Sequence, residues 1–195
     1  MLFPGGVLPL RVFEARYVDM VREAMRESTE FGVVLLRRGR DIDRDGIDIE
    51  QIGCRARITD WNMAQLGVLQ IETIGTTRFT IHSHIVQADG LRVADVESIA
   101  DDEAVPMPDE AALCVRLLER IVDQLRSGDG DGPEAGPGYQ PIAEPHRFDD
   151  ATWVGNRLAE LLPIALPAKQ RLMATTDAHE RLVVVRRYLV EQGIS

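Results

Sequence analysis

The chain has 195 residues, with 22 Lys+Arg against 32 Asp+Glu and a formal net charge of −10 at pH 7. At 45% hydrophobic and 28% charged residues, it has an ordinary globular composition with enough apolar material for a packed core, which excludes a disordered chain. No apolar run reaches the roughly 18 residues needed to cross a bilayer, and no basic stretch leads into an apolar segment at the start, so membrane and secreted classes are disfavoured and a cytoplasmic location is expected.

In chain order, Leu8-Pro9-Leu10 reads as an extended segment followed by a helix. Phe13, Tyr17, Met20, Val21, Ala24 and Met25 recur at helical spacing, with charged residues on the other faces. From Phe31 to Ile99 the period changes to that of strands. Phe31 to Leu36 is a short apolar, β-branched run, and Ile52, Cys54, Ala56 and Ile58 alternate with polar neighbours up to Trp61. Further strands are predicted over Val68 to Ile74, Arg78 to Val86 and Leu91 to Val96, the last two joined by a turn at Asp89-Gly90. Many short strands separated by turns imply a small antiparallel barrel and not a βαβ sheet.

After Pro106 and Pro108 the pattern becomes helical. Asp109 is placed to cap a helix with Leu113, Leu117, Leu118, Ile121 and Leu125 on one stripe. A Gly/Pro-rich loop covers 127–147. Asp149 or Asp150 opens a second helix through Trp153, Val154, Leu158, Leu161 and Leu162, and Pro167 starts a short third one. Asp177 and Glu180 are spaced as a capping box for a last helix carrying Leu182, Val185 and Leu189 and ending at Gly193. The reading is therefore α+β, with a β-rich subdomain over 1–105 and a helical bundle over 106–195.

Several stretches point beyond general patterning. They are the opening LFPGGVLPLRVFEARYVDMV, the strand FGVVLLRRG, the block IGCRARITDW with GTTRFTIHSHIVQADGLRVADVE, and the closing LAELLPIALPAKQRLMATTDAHERLVVVRRYL. Together, in this order, the chain resembles the N-terminal substrate-binding domain of Lon proteases. The most specific part is the constellation Phe3-Pro4, Pro9, Phe13-Glu14 and Arg16-Tyr17. The resemblance implies a PUA-like antiparallel β pseudo-barrel with one early helix, followed by a helical bundle. On this reading Pro4 and Pro9 hold the leading segment extended, Phe13 and Tyr17 anchor the first helix, and Glu14 and Arg16 bond the backbone of an adjacent segment. The family usually carries a further strand ahead of Phe3-Pro4; either the start of this chain is a late one, or one barrel edge is expected to be open and closed by another chain, a peptide or a second copy as a homodimer. The chain also stops where Lon proteases continue into an ATPase.

Catalytic patterns are missing. No GxxxxGK[ST] loop is present, and Lys169, the sole lysine, precedes Gln170. The resemblance implies a Ser-Lys dyad only in the protease part, and Lys169 falls in the binding part, where a solvated first-turn residue is expected. The five serines include no GxSxG elbow. His179-Glu180 begins like a zincin helix, but Val183 occupies the second histidine position. His82 and His84 share one strand face without an evident third ligand. Asp41, Asp43 and Asp45 match the first half of a calcium loop, but position twelve is Ile52. Cys54 and Cys114 lie among apolar residues and read as buried thiols. The chain is read as non-enzymatic and without a cofactor.

The resulting expectation is a peptide- or protein-binding module that captures unfolded or partner proteins, through a barrel edge or the groove between barrel and bundle. Trp61, Met63 and Leu66, around a predicted turn, are the candidate contacts, although burial in the core is the simpler expectation for Trp61. The alternative is an RNA- or small-ligand-binding PUA-like module, which would need Arg37, Arg38, Arg40, Arg44, Arg55 and Arg57 to form one basic face. The acidic net charge weighs against nucleic acid. For the acidic loop, millimolar calcium and chelator are expected to leave the melting temperature unchanged; a calcium-dependent rise would reinstate Asp41, Asp43 and Asp45 as ligands.

Overall fold

The computed structural model describes residues 1–38, 48–126 and 142–194; Asp41, Asp43 and Asp45, with Arg40 and Arg44, lie outside them. The chain divides into two units, Met1–Ala100 and Asp101–Ser195. In the first, the elements run β1 (Val7–Val12), α1 (Ala15–Glu27), β2 (Phe31–Val33), β3 (Leu36–Arg38), β4 (Asp48–Ile49), β5 (Ile52–Gln65), β6 (Val68–Val86) and β7 (Arg92–Ser98). Five strands form one antiparallel sheet in the order β1-β6-β5-β2, with β7 also on β6, while β3 and β4 make a separate small ladder. The α+β class and the antiparallel pairing match the sequence reading. The described strands make an open sheet, however, and not a closed barrel.

The sequence suggests two strands on either side of Gly75-Thr76-Thr77, yet β6 is continuous over 19 residues. Gly75 is not a breaker here but a point of close approach. Its N–H donates to Gly6 O and its carbonyl accepts from Gly5 N, both at 2.8 Å. A Cβ at Gly75 would lie 2.1 Å from Phe3 O. Only glycine lets the leading segment lie on the strand, and Phe3 is buried there. Further along β6, the Phe79 ring covers the backbone of Gly53 and Gly32, where added Cβ atoms would come within 2.5 and 2.9 Å of its Cζ. On the other half of β6, Leu69 and Ile71 join Val12 and Val21 in a core cluster, flanked by Leu10, Tyr17, Met20, Phe31 and Ile58. This is how the amphipathic face of α1 is held on the sheet.

In the second unit a 3-10 turn, Asp109–Ala111, leads into α2 (Ala112–Arg126), followed by α3 (Ala151–Leu161), α4 (Leu166–Ala174) and α5 (Ala178–Glu191). Asp109 does not cap α2; it belongs to the turn, which Pro108 precedes without a side-chain cap. The buried stripe is Ala111, Cys114, Leu118 and Val122, one position round from the expected one, and Leu125 is exposed. Of the predicted 127–147 loop, the described part packs Ile142 into the core and sets His146, with Phe148 just after the loop, against Trp153. The α3 helix packs against α2, α4 and α5 and is buried over Ala151–Ala159, so it lacks the polar face of a surface helix. Its N-cap is Asp150, which accepts from Thr152 N at 2.9 Å. Asp177 caps α5 by accepting from His179 N at 2.8 Å and Glu180 N at 3.1 Å.

Two arginines in this bundle are fully buried. Arg157 pairs with Glu160 at 3.0 Å. Arg181 pairs with Asp102, whose side chain is only 7% exposed, at 2.8 Å, donates from Nε to Leu172 O at 3.1 Å and also donates to Thr175 O. One guanidinium thus ties the segment entering the unit to α4 and α5. Thr152 Oγ1 donates to Glu103 O at 2.7 Å and Ala151 N to Val105 O at 2.7 Å, continuing the tie onto α3.

Removing one member of a buried pair strands the other charge. Arg181→Ala is therefore expected to cost about 3–5 kcal/mol in urea unfolding, and the paired replacement Asp102→Leu with Arg181→Met to recover most of that loss. At Asp177, hydrogen bonds from the Glu180 and His179 backbone hold the carboxyl below its ordinary value. A lowered pKa stabilises the fold above the unfolded value, and that stabilisation is lost as pH falls through the folded one. Asp177→Ala should therefore lower the urea midpoint at pH 7, with the gap to wild type closing as pH drops below about 3.8.

Candidate functional site

Two features of the first unit are candidate contact surfaces. One is a cleft of about 460 Å³ where the end of β1 and the start of α1 meet β2, β3 and β4. Its walls are apolar: Leu10, Val12, Phe13, Tyr17, Met20 and Phe31. The volume falls within the range of small-ligand sites. The motif residues Phe13, Glu14 and Tyr17 all line it. Phe13 is not the helix anchor expected from spacing, because α1 begins at Ala15 with Glu14 as the N-cap residue. Phe13 stands outside the helix, 68% exposed. Glu14 makes no side-chain cap; its carboxylate accepts from Arg16 Nε at 3.1 Å. Arg16 also donates to Gly90 O at 2.8 Å and lies 4.6 Å from the Tyr17 ring centroid. That is the backbone bond expected of it, tying α1 to the Asp89-Gly90 turn, where Gly90 has φ 90°.

The second feature is the β5–β6 hairpin. Its tip exposes Leu66 at 96%, Trp61 at 55% and Met63 at 46%. Trp61 is thus not a core residue, although its strand partner Ile71 is buried. Gly67, at φ 82°, closes the turn. Ile71 of this hairpin lines the cleft, whereas Trp61, Met63 and Leu66 do not.

Phe3 is buried, Pro4 begins the turn ahead of β1, and Pro9 is exposed on the outermost strand, where its missing N–H breaks no ladder bond that the sheet needs. His82 pairs across the ribbon with Glu97 at 3.2 Å, and among the described residues no group of three or more His, Cys, Asp or Glu is arranged to hold a metal. Burial pushes the Cys114 thiol up to about 11 against the opposing pull of Arg186, so at neutral pH it is an unreactive thiol. Lys169 is not a solvated first-turn residue. Its half-buried Nζ donates to Glu160 O at 2.6 Å, and desolvation lowers its pKa against the attraction of Glu160. Arg37 lies between Glu50 at 2.8 Å and Asp48 at 3.4 Å, which spends its charge locally and holds the Glu50 carboxyl below its usual range. No helix among the described residues is long and apolar enough to cross a membrane.

The family model described as the ATP-dependent protease La (LON) substrate-binding domain matches residues 1–191. The chain belongs to the LON substrate-binding domain family. This LON domain is 27% identical over 97% of its length to a Lon protease of Anaeromyxobacter dehalogenans, and it spans 22% of that relative. It therefore covers about a fifth of the full-length proteases it matches. A shorter match, 30% identical over 62% of this chain, is to protein cereblon of Danio rerio. Among solved structures, a Lon N-terminal domain protein from Xanthomonas campestris matches with a TM-score of 0.74 and 31% identity, covering 96% of this chain and 92% of that one. The N-terminal domain of a Mycobacterium avium complex Lon protease matches with a TM-score of 0.57 at 17% identity, which supports the fold.

Proposed function

We propose that this LON domain is a non-catalytic recognition module that holds unfolded or partly unfolded polypeptide by its apolar residues. The observation that carries the reading is the β5–β6 hairpin, which presents Leu66, Trp61 and Met63 to solvent together. A single exposed apolar residue is ordinary, but a clustered aromatic and aliphatic tip marks a contact surface. The outer edge of β1 adds a second mode, since it ends the sheet and can pair with an extended chain through backbone hydrogen bonds. The same edge would serve a second copy of this chain. The non-catalytic reading is supported by Lys169, whose amine engages a helix-end carbonyl and not a serine hydroxyl. An RNA-binding alternative gains nothing from Arg37, which two carboxylates already neutralise.

The test uses a reduced and alkylated protein that cannot refold, labelled for fluorescence anisotropy. Binding is expected to survive moderate salt, because the contact is apolar. Trp61→Ser with Leu66→Ser should weaken it at least about tenfold without moving the melting temperature, since both side chains are exposed. No binding at low or moderate salt would overturn the proposal.

A further inference from the structure

The cleft beside α1 carries a second layer of information in its charges. Arg11, Glu14 and Arg92 stand among its apolar walls. Glu14 is already held by Arg16 at 2.9 Å, so its negative charge is met before any ligand arrives. Arg92 is different: its Nε is buried and has no acceptor among the described residues. That Nε is closed to a ligand, but the guanidinium as a whole is only partly buried and no described residue pairs with it. Its terminal N–H groups at the cleft therefore become a strong, directional site once an anion supplies the oxygen. In a chain of net charge −10, the balance at this one apolar cleft is positive.

From this geometry we infer that the cleft seats the C-terminal end of a polypeptide, with apolar last side chains against Phe13, Tyr17 and Phe31 and the free carboxylate on Arg92. The inference rests on the peptide-recognition reading and narrows it to a substrate class, chains with an apolar free C-terminus. An internal apolar segment would fill the walls but leave the guanidinium without an oxygen. A planar carboxylate answers the fork of donors that a guanidinium presents. Phe13, exposed at the rim, then acts as the aromatic platform over which the last residues lie.

The experiment compares two fluorescein-labelled octapeptides of identical sequence ending in Leu-Val-Phe, one with a free carboxylate and one amidated, titrated with the full chain. The free acid is expected to bind about tenfold more tightly, the size of one well-placed charge-assisted bond. Arg92→Gln should abolish that preference while leaving the amide's affinity unchanged. Phe13→Ser should weaken both peptides to a similar degree, and neither variant should lower the melting temperature. Equal binding of acid and amide, or a preference that survives Arg92→Gln, would overturn the inference. Displacement of the free-acid peptide by decanoate at concentrations that leave the amidated peptide bound supports a carboxylate site; tight decanoate binding without any peptide binding overturns the choice of occupant. The alkylated unfolded protein separates the two readings. If it still binds through Trp61 and Leu66 while acid and amide peptides are indistinguishable, only the C-terminal specificity fails.

Discussion

Strand β6 sets the architecture of the first unit, because three of the sheet's other strands find their backbone partners on it. One edge pairs with β5; the other is shared between β1 over its first half and β7 over its second. Such sharing requires a strand long enough to outrun each neighbour and a way for the leading segment to reach it without a clash. Gly75 supplies the second condition by admitting Phe3 O against the strand backbone. With β1 fixed there, its end and the start of α1 converge on β2, and the apolar cleft is the space left where they do not fully meet. The cleft is a consequence of pairing geometry as much as of the side chains that line it.

The second unit solves a different problem. A helix buried as completely as α3 leaves little polar surface around it, and the bundle nevertheless encloses Arg157 and Arg181. Buried ion pairs are poor sources of net stability, because desolvation offsets their attraction. Arg181 is better understood as an alignment device: its Nε and Nη2 donate to Leu172, Asp102 and Thr175, and these bonds form together in one arrangement of the incoming segment, α4 and α5. An apolar side chain of the same size would tolerate several.

Much of this was legible in the sequence wherever a local rule decides the structure. The Asp177 cap, the Asp150 cap and the Asp89-Gly90 turn depend on short-range hydrogen bonds, and all formed as their spacing indicates. The Lon resemblance likewise gave the family and the fold class. What was not legible depends on who lies opposite. Gly75 reads as a break until Phe3 is seen beside it. Phe13 fits the helical period, but the helix starts two residues later, which turns it outward. Arg181 lies on the same stripe as Ala178, Leu182, Val185 and Leu189, a signal of burial that its charge argued against until Asp102 was found to meet it. The cleft and its unmatched Arg92 donor have no sequence signature, because they combine β1, α1, β2 and β7.

Lys169 carries one more consequence. As the only lysine, it makes side-chain acylation by amine-selective reagents a single-site reaction in this chain. That amine is half-buried and donates to Glu160 O at the end of α3, so a reagent reaches it more readily once the last turn of α3 lets go. The rate of its acylation is then a built-in gauge of fraying at the α3–α4 junction, read from one residue without any engineered label.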